Sequence, residues 1–252
     1  MRRYLREVEE DVADEQKAGG EKKGEIELLA YPFKVVLRKC RELIEKKNLT
    51  LIRQIKHFPQ HLKLAYAIFS HYSNPVNRKD MPVIDSKDVK LLQARLLKGI
   101  LDVNEPWSPE TDPKNPFPTG LTGAQAQAFL TRGLRYPDSH DRVDVRVGYI
   151  VLRKLKPIQR QVYVDKVLKN IQRFGFREKM GFIQGFGGKN RDEGYFIASR
   201  DGWILDGHHR FLSGLLMNPN IKARCLVIDL EVRKLYRLLL AYGDAIGNKR
   251  NE

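Results

Sequence analysis

The sequence predicts an α+β protein in which a helical N-terminal region is followed by a small mixed-sheet domain. Between residues 26 and 143, apolar side chains recur at steps of three and four, which is the period of amphipathic helices. From residue 144 onward the pattern changes to short apolar runs with strand-like alternation, separated by glycine and proline turns. With 252 residues, 42% of them hydrophobic, the chain is long enough to bury a substantial core.

The N-terminal half divides where its composition changes. Residues 1–25 hold six basic and eight acidic side chains, and this charge density predicts a flexible tail. Residues 26–143 form the predicted helical domain. Its helices are expected from Phe33, from Leu49, after Pro59, from Asp88 and from Thr122. Five prolines within residues 104–120 predict a connecting loop, because proline removes hydrogen bonds that regular elements need.

Residues 144–252 form the predicted sheet domain, which a C-terminal helix closes. Strands are expected at residues 145–151, 182–183, 195–198, 203–205 and 223–230, and helices at 163–174, from 208 and at 231–242. A glycine-rich segment at residues 185–190 lacks the Gly-Lys-Ser/Thr ending of a Walker loop. We expect it to form a hairpin whose Lys189 and Arg191 contact nucleic acid.

The net charge indicates the class of partner. The chain carries a formal charge of +15, and because the tail holds six basic and eight acidic groups, the remainder carries +17. This excess favours a polyanionic partner, nucleic acid and preferably DNA, although charge can also serve solubility alone. No apolar run could cross a bilayer or act as a secretory segment, so we expect a soluble, cytoplasmic protein without membrane contacts. Cys40 and Cys225 lie in apolar patterns and are expected to be buried thiols; the oligomeric state is not predicted.

The stretch Trp203 to Leu212 carries the candidate site. A short apolar strand breaks at Asp206-Gly207, and a helix follows at once, with Asp206 as its expected N-cap. The first turn of a helix offers unpaired N–H groups and the positive end of the dipole, which favour an anion. His208, His209 and Arg210 fall in that turn, and together they suit a phosphate group. The alternative is an ordinary polar junction between a strand and a helix.

The heptapeptide Ile204-Leu205-Asp206-Gly207-His208-His209-Arg210 resembles the signature of the ParB/sulfiredoxin superfamily. It is closest to the Asp-Gly-His-His-Arg form of the free serine kinases, and it is also similar to the Asp-Gly-Gln-His-Arg proteins associated with DNA modification. The order of a strand, Leu155-Lys156-Pro157, a helix, further strands, this turn, a helix and a strand extends the resemblance over about residues 144–231. The resemblance implies that residues 144–252 are a nucleotide-binding domain, with ATP or another nucleotide and Mg²⁺ as cofactors.

Residue roles follow from the resemblance. Gly207, His208, His209 and Arg210 would bind the nucleotide phosphates, with His209 and Arg210 also catalytic. Asp206 would be a further catalytic residue and the metal ligand. In the free serine kinases a glutamate after the Leu-x-Pro element acts as the base, whereas the chain has no carboxylate at residues 157–161.

Three more residues are expected to position the substrate: Gln159, Asp165 and Lys166. Gln159 can orient a hydroxyl but cannot accept its proton. For Asp165 and Lys166 the alternative is an ordinary solvated first turn of a helix. In sulfiredoxin a reactive cysteine occupies the place of His208, so the resemblance does not extend to sulfinic acid repair.

These observations favour a nucleotide-dependent phosphotransferase, a kinase acting on a hydroxyl group, for example on a hydroxymethylated base of nucleic acid. The principal alternative is a ParB-like DNA-binding module or regulator that is non-catalytic or hydrolyses nucleotide. A kinase of small molecules such as serine is a further possibility. A nuclease is another, but the sequence shows no cluster of metal-binding carboxylates that would support it.

Overall fold

The computed structural model of the protein describes residues 26–71, 76–84, 86–101, 103, 129–131, 141–159, 161–174 and 195–248. The described helices before the sheet include α1 (Phe33–Lys46), α2 (Thr50–Arg53), α3 (Phe58–His71) and α4 (Ser86–Leu97). A 3₁₀ turn, Arg78–Asp80, lies between α3 and α4. The helices predicted from Phe33, from Leu49, after Pro59 and from Asp88 are therefore confirmed, with ends displaced by a few residues.

The second part of the chain builds a mixed sheet. Its strands are β1 (Val145–Val151), β2 (Lys156–Pro157), β3 (Phe196–Ser199), β4 (Trp203–Asp206) and β5 (Lys222–Ile228). The order across the sheet is β1-β5-β3-β4-β2. The β1–β5 and β3–β4 pairs are antiparallel, whereas the β5–β3 and β4–β2 pairs are parallel. The described helices of this part are α5 (Val164–Phe174), α6 (His208–Met217) and α7 (Val232–Ala245). With helices first and the sheet after them, the predicted α+β class is confirmed.

Strand β5 shows how the sheet separates two apolar layers. Cys225 and Val227 join a cluster with residues of α1, α3, α5 and α6, whereas Leu226 and Ile228 join a cluster with residues of α4 and α7. This is the alternation of side chains expected of a strand that is buried on both faces. Both clusters contain residues from either side of position 144, so the N-terminal helices complete the core of the sheet. The domain boundary at that position stays a prediction.

The two cysteines are buried free thiols, as predicted. Burial raises the pKa of Cys40 and of Cys225 to about 12. Neither thiol is therefore poised to act as a nucleophile.

Several predictions fall on residues outside the described ranges. They concern the tail at residues 1–25, the proline-rich loop at 104–120, most of the helix expected from Thr122, the strand at 182–183 and the glycine-rich segment with Lys189 and Arg191. In the described part of the chain, every helix is too short or too polar to cross a lipid bilayer.

Candidate functional site

A cleft of about 240 Å³ opens where β4 passes into α6. It is lined by Arg78, Met81, Pro82, Gln159, Leu205, Asp206, Gly207, His208, His209 and Arg210. Residues 205–210, the turn wall, come from the strand–helix junction. Residues 78–82, the upstream wall, come from the segment before α4. The predicted phosphate-binding turn therefore lines a cleft, and a distant stretch of chain completes it.

The apolar face of α6 fixes the turn wall to the core. Phe211, Leu212, Leu215 and Leu216 are all fully buried. Burying each such side chain stabilises a fold by about 1.5–3 kcal/mol. The start of the helix is thereby held against the sheet, and the residues of its first turn have a fixed direction into the cleft.

Gly207 makes the sharp turn between strand and helix possible. Its φ of 98° is left-handed, and a Cβ atom at this position would lie 2.7 Å from Cδ1 of Phe196. Any other residue would be strained and would also collide with that ring. Gly207 itself is the N-cap residue, and no side chain among the described residues caps the helix. The prediction of Asp206 as N-cap is wrong, because its carboxylate turns to Arg210 instead.

Arg210 is held by three neighbours within the fold. Its Nη2 donates hydrogen bonds to Oδ2 of Asp206 at 2.9 Å and to the carbonyl oxygen of Tyr195 at 3.2 Å. Its guanidinium carbon lies 5.1 Å from the centre of the Phe196 ring. The Arg210 side chain is 14% exposed and that of Asp206 is 41% exposed. The guanidinium is therefore at the cleft, but its charge is offset by a neighbouring carboxylate.

The ring of His208 is buried and holds the start of α6 against the chain that follows β2. It is 3% exposed, and its Nε2 accepts hydrogen bonds from the N–H groups of Ile158 at 3.2 Å and Gln159 at 3.1 Å. Burial, and secondly the neighbouring His209, lower the pKa of His208 from 6.5 to about 3, although a backbone hydrogen bond with Ile204 opposes this. The ring is neutral at physiological pH and ties α6 to the chain after β2. Its Nε2 is already used by the protein and does not reach toward a ligand.

His209 is the more accessible imidazole of the turn wall. It is partly exposed, and its Nε2 lies 3.4 Å from the N–H group of Tyr163, from which it accepts a hydrogen bond. The centres of the Tyr163 and His209 rings lie 6.2 Å apart. The carbonyl oxygen of His209 accepts a hydrogen bond from Ser213 Oγ at 2.8 Å, which fixes the first turn of α6. Both histidines line the cleft, but the ring of His208 is buried, whereas that of His209 is partly exposed.

The three predicted substrate-positioning residues separate in the structure. Gln159 lines the cleft and is 7% exposed, with its Nε2 donating a hydrogen bond to the carbonyl oxygen of Gln161. Asp165 is not among the lining residues; its carboxylate lies 3.0 Å from Lys169 Nζ and 3.9 Å from Lys47 Nζ. Lys166 has its Nζ 4.7 Å from the Tyr163 ring centre, beside the upstream wall.

The upstream wall was not predicted from the sequence. Val76 donates a backbone hydrogen bond to Ile158 at 2.7 Å, and this parallel bridge brings the following residues to the cleft. Arg78 lies there with its guanidinium carbon 5.0 Å from the centre of the Tyr163 ring. Because these contacts join residues about 80 positions apart, no local spacing in the sequence could have indicated them.

The carboxylate content of the site limits which metals it could hold. Asp206 is the one acidic residue among the lining residues that the structure describes. Within the same described ranges, no group of three or more His, Cys, Asp and Glu side chains could hold a metal ion. A cation at Asp206 would take most of its ligands from water and a bound phosphate, which Mg²⁺ does in many nucleotide sites.

Comparisons of the chain with models of protein families, with curated proteins and with solved structures found no match. The resemblance to the ParB/sulfiredoxin superfamily therefore rests on the Asp206–Arg210 turn and on the order of the elements around it.

Proposed function

We propose that the cleft binds the phosphate groups of a nucleotide, and that the protein is a nucleotide-dependent phosphotransferase of the ParB/sulfiredoxin type. The observation that carries this proposal is the turn wall itself. A left-handed glycine opens α6 without a side-chain cap, and His209 and Arg210 lie beside the helix start. Backbone N–H groups, an imidazole and a guanidinium are the donors that proteins use for phosphate.

The size of the cleft supports phosphate binding in particular. Its volume of about 240 Å³ is below the roughly 300–1,000 Å³ of clefts that enclose a whole drug-sized ligand. It matches the phosphate end of a nucleotide, with the base and sugar lying outside. This placement would leave the terminal phosphate next to Asp206.

Asp206 is the candidate base for the acceptor hydroxyl. Phosphoryl transfer depends mainly on positioning and charge neutralisation, with one group to orient or deprotonate the nucleophile. Asp206 is accessible and is the sole carboxylate among the described lining residues. His209 would stabilise negative charge on the transferred group, and Arg210 would fix the orientation of Asp206. Mg²⁺ bound with ATP would supply further neutralisation of phosphate charge.

The acceptor hydroxyl, in this proposal, belongs to nucleic acid, with a hydroxymethylated base in DNA as the example to test. The support is the formal charge of +15, which favours a polyanionic partner over a small neutral one. A serine-like small molecule is the alternative acceptor.

A second candidate function is a nucleotide-responsive DNA-binding module without phosphotransfer. The contact between Asp206 and Arg210 favours it, because Oδ2 of the carboxylate already accepts a hydrogen bond at 2.9 Å. The free serine kinases carry their base shortly after the Leu-x-Pro element, whereas residues 157–161 of this chain contain no carboxylate. A cleft of this composition could bind nucleotide and respond to DNA without chemistry.

The test is a transfer assay with γ-labelled ATP and Mg²⁺. We expect label to move to duplex DNA with hydroxymethylated bases and not to unmodified DNA. Label moving to free serine would identify a small-molecule kinase, and ATP hydrolysis stimulated by unmodified DNA would identify the binding module. DNA cleavage would identify a nuclease and would contradict phosphotransfer.

A matched pair of histidine variants tests the site itself. His209→Ala removes the accessible imidazole of the cleft, whereas His57→Ala removes an exposed histidine at the start of α3. We expect the first to weaken ATP binding at least tenfold and the second to leave it unchanged. Equal ATP affinity in both variants and the unaltered protein would remove this cleft from consideration.

A further inference from the structure

The formal charges of the residues that line the cleft are not distributed evenly between its two walls. Setting the histidines aside, its described lining residues carry three formal charges, those of Arg78, Asp206 and Arg210. Asp206 and Arg210 are joined by a contact of 2.9 Å, so their fields largely cancel at any distance beyond the pair. The remaining positive charge belongs to Arg78. An anion entering the cleft is therefore drawn mainly to the upstream wall.

Arg78 is held in place without being neutralised. Its guanidinium carbon lies 5.0 Å from the Tyr163 ring centre, and its backbone N–H donates to Oε1 of Gln161 at 3.2 Å. Among the residues that the structure describes, no carboxylate forms an ion pair with it. Contact with an aromatic ring orients a guanidinium and leaves its N–H donors for a planar or tetrahedral anion.

The segment that carries Arg78 is anchored at both ends. Val76 donates a hydrogen bond to Ile158 at 2.7 Å before it, and Tyr236 Oη donates to the carbonyl oxygen of Asp80 at 2.6 Å after it. Because the segment is already ordered, little conformational entropy is lost when Arg78 binds a ligand.

We propose that Arg78 is the principal anion-binding side chain of this cleft, and that together with the turn wall it selects ligands with two or more linked phosphates. This inference rests on the proposed function. Arg78 and Arg210 are each held on a different aromatic ring, Tyr163 and Phe196, so the cleft has two guanidinium groups in fixed positions, of which that of Arg210 is offset by Asp206. The turn wall binds one phosphate at the start of α6, and Arg78 binds a second phosphate that is linked to the first. The ligand class is a nucleoside di- or triphosphate, with pyrophosphate as its minimal form.

Titration calorimetry with pyrophosphate and with inorganic phosphate tests the inference on the full chain. Arg78→Gln is compared with Lys79→Gln, which removes the same charge from an exposed residue of the same 3₁₀ turn that does not line the cleft. Losing a hydrogen-bonded charge costs roughly ten- to hundredfold in affinity. We expect that loss for pyrophosphate in Arg78→Gln, a much smaller loss for inorganic phosphate, and unchanged affinities in Lys79→Gln.

The outcomes separate the inference from the proposed function. If the unaltered protein binds neither pyrophosphate nor ATP, the proposed function fails. If it binds both and Arg78→Gln binds them equally well, this inference fails and the proposed function stands. Equal losses for phosphate and pyrophosphate would overturn the selection of linked phosphates. Should Arg78→Gln fail to unfold cooperatively, Arg78→Lys replaces it, and an unchanged preference for pyrophosphate in that variant would contradict the role of the guanidinium fork.

Discussion

The two walls of the cleft hold their arginines under opposite electrostatic conditions. On the turn wall, Arg210 is hydrogen-bonded to Asp206 and to the Tyr195 carbonyl and is only 14% exposed. On the upstream wall, Arg78 lies on the Tyr163 ring and forms no ion pair with any described carboxylate. Both guanidinium groups contact an aromatic ring, but among the described carboxylates only Asp206 offsets one of them, that of Arg210.

This difference means that one wall fixes the shape of the cleft and the other wall attracts anions to it. A charge that the fold neutralises helps to fix geometry, and losing one partner of such a pair leaves the other uncompensated. A charge that the fold orients but does not neutralise acts at longer range on an approaching ligand. The turn wall therefore provides the geometry, and the upstream wall provides most of the attraction.

Gly207→Ala breaks the turn wall and carries the largest expected effect. The left-handed φ of 98° strains any L side chain, and the new Cβ would meet the Phe196 ring at 2.7 Å. We expect a loss of about 2–4 kcal/mol in the free energy of unfolding, from backbone strain together with overpacking. The measurement is urea denaturation.

Gly247→Ala is the matched control for this variant. Its φ of 81° is also left-handed, but a Cβ there meets nothing within 4 Å. It should lose only about 1–2 kcal/mol, the cost of backbone strain alone. Equal losses in the two variants would show that the Phe196 contact adds nothing.

The buried ring of His208 makes stability depend on pH. Its pKa is about 3 in the folded protein against 6.5 for an exposed imidazole, so the unfolded chain binds the proton first as the pH falls. The stability from the neutral ring is complete above pH 6.5 and is lost progressively as the pH falls toward 3. At pH 5 the loss should reach about 2 kcal/mol, at about 1.4 kcal/mol per pH unit.

His208→Gln isolates this contribution, because glutamine offers an acceptor oxygen but does not titrate. Denaturation of both proteins at pH 7.5 and pH 5 gives the comparison, since the other histidines and the carboxylates are common to the two. We expect the unaltered protein to lose about 2 kcal/mol more than the variant between these pH values. Parallel losses would mean that folding does not lower the pKa of His208, and that its neutral ring does not hold the turn in place.

The sequence predicted the turn wall better than the upstream wall for a physical reason. The strand, the break at Gly207 and the helix with Phe211 and Leu212 inward are local patterns, and their periods are visible in one stretch of chain. Local spacing also brought His208 and His209 to the same turn. It could not indicate that one of them is buried, because the N–H groups that occupy His208 belong to residues 158 and 159.

The same limit explains why the contacts within the predicted site could not be read from the sequence. Asp206 has the residue type of an N-cap, but its hydrogen bond goes to Arg210 one turn later. Asp165 lies in the first turn of α5, far before the Asp206–Arg210 turn in the sequence, and its carboxylate contacts Lys47 and Lys169; its role in positioning the substrate stays a prediction. The composition predicted the sign of the net charge but not which surface of the protein carries the excess positive charge. Whether a charge is neutralised depends on packing between distant elements, which no single window of sequence contains.

Asp206→Asn removes the carboxylate beside Arg210, so that the arginine of the turn wall, like that of the upstream wall, is not offset by any described carboxylate. Removing the carboxylate charge leaves Arg210 unbalanced, so the cleft gains one net positive charge. We expect pyrophosphate to bind more tightly by about 1 kcal/mol, roughly fivefold, while phosphotransfer from ATP falls because the candidate base is lost. Calorimetry and the labelled transfer assay measure the two effects in parallel.

Asp201→Asn controls for net charge. Asp201 is exposed in the turn between β3 and β4 and does not line the cleft. Asp201→Asn should change neither the affinity for pyrophosphate nor phosphotransfer from ATP. If Asp206→Asn binds pyrophosphate no better than this control, Asp206 does not offset Arg210 in solution, and the contrast between the two walls is lost.

Tyr163→Leu tests the ring that holds Arg78 and carries the smallest expected effect. A contact between a cation and an aromatic ring at a partly exposed site such as this one is worth about 0.5–1 kcal/mol, so pyrophosphate affinity should fall roughly two- to fivefold. Tyr163→Phe keeps the ring and should bind as the unaltered protein does. A similar loss in the phenylalanine variant would instead assign the effect to the tyrosine hydroxyl. Because the Tyr163 N–H also donates to His209, and both variants keep that backbone group, their difference reports on the side chain alone.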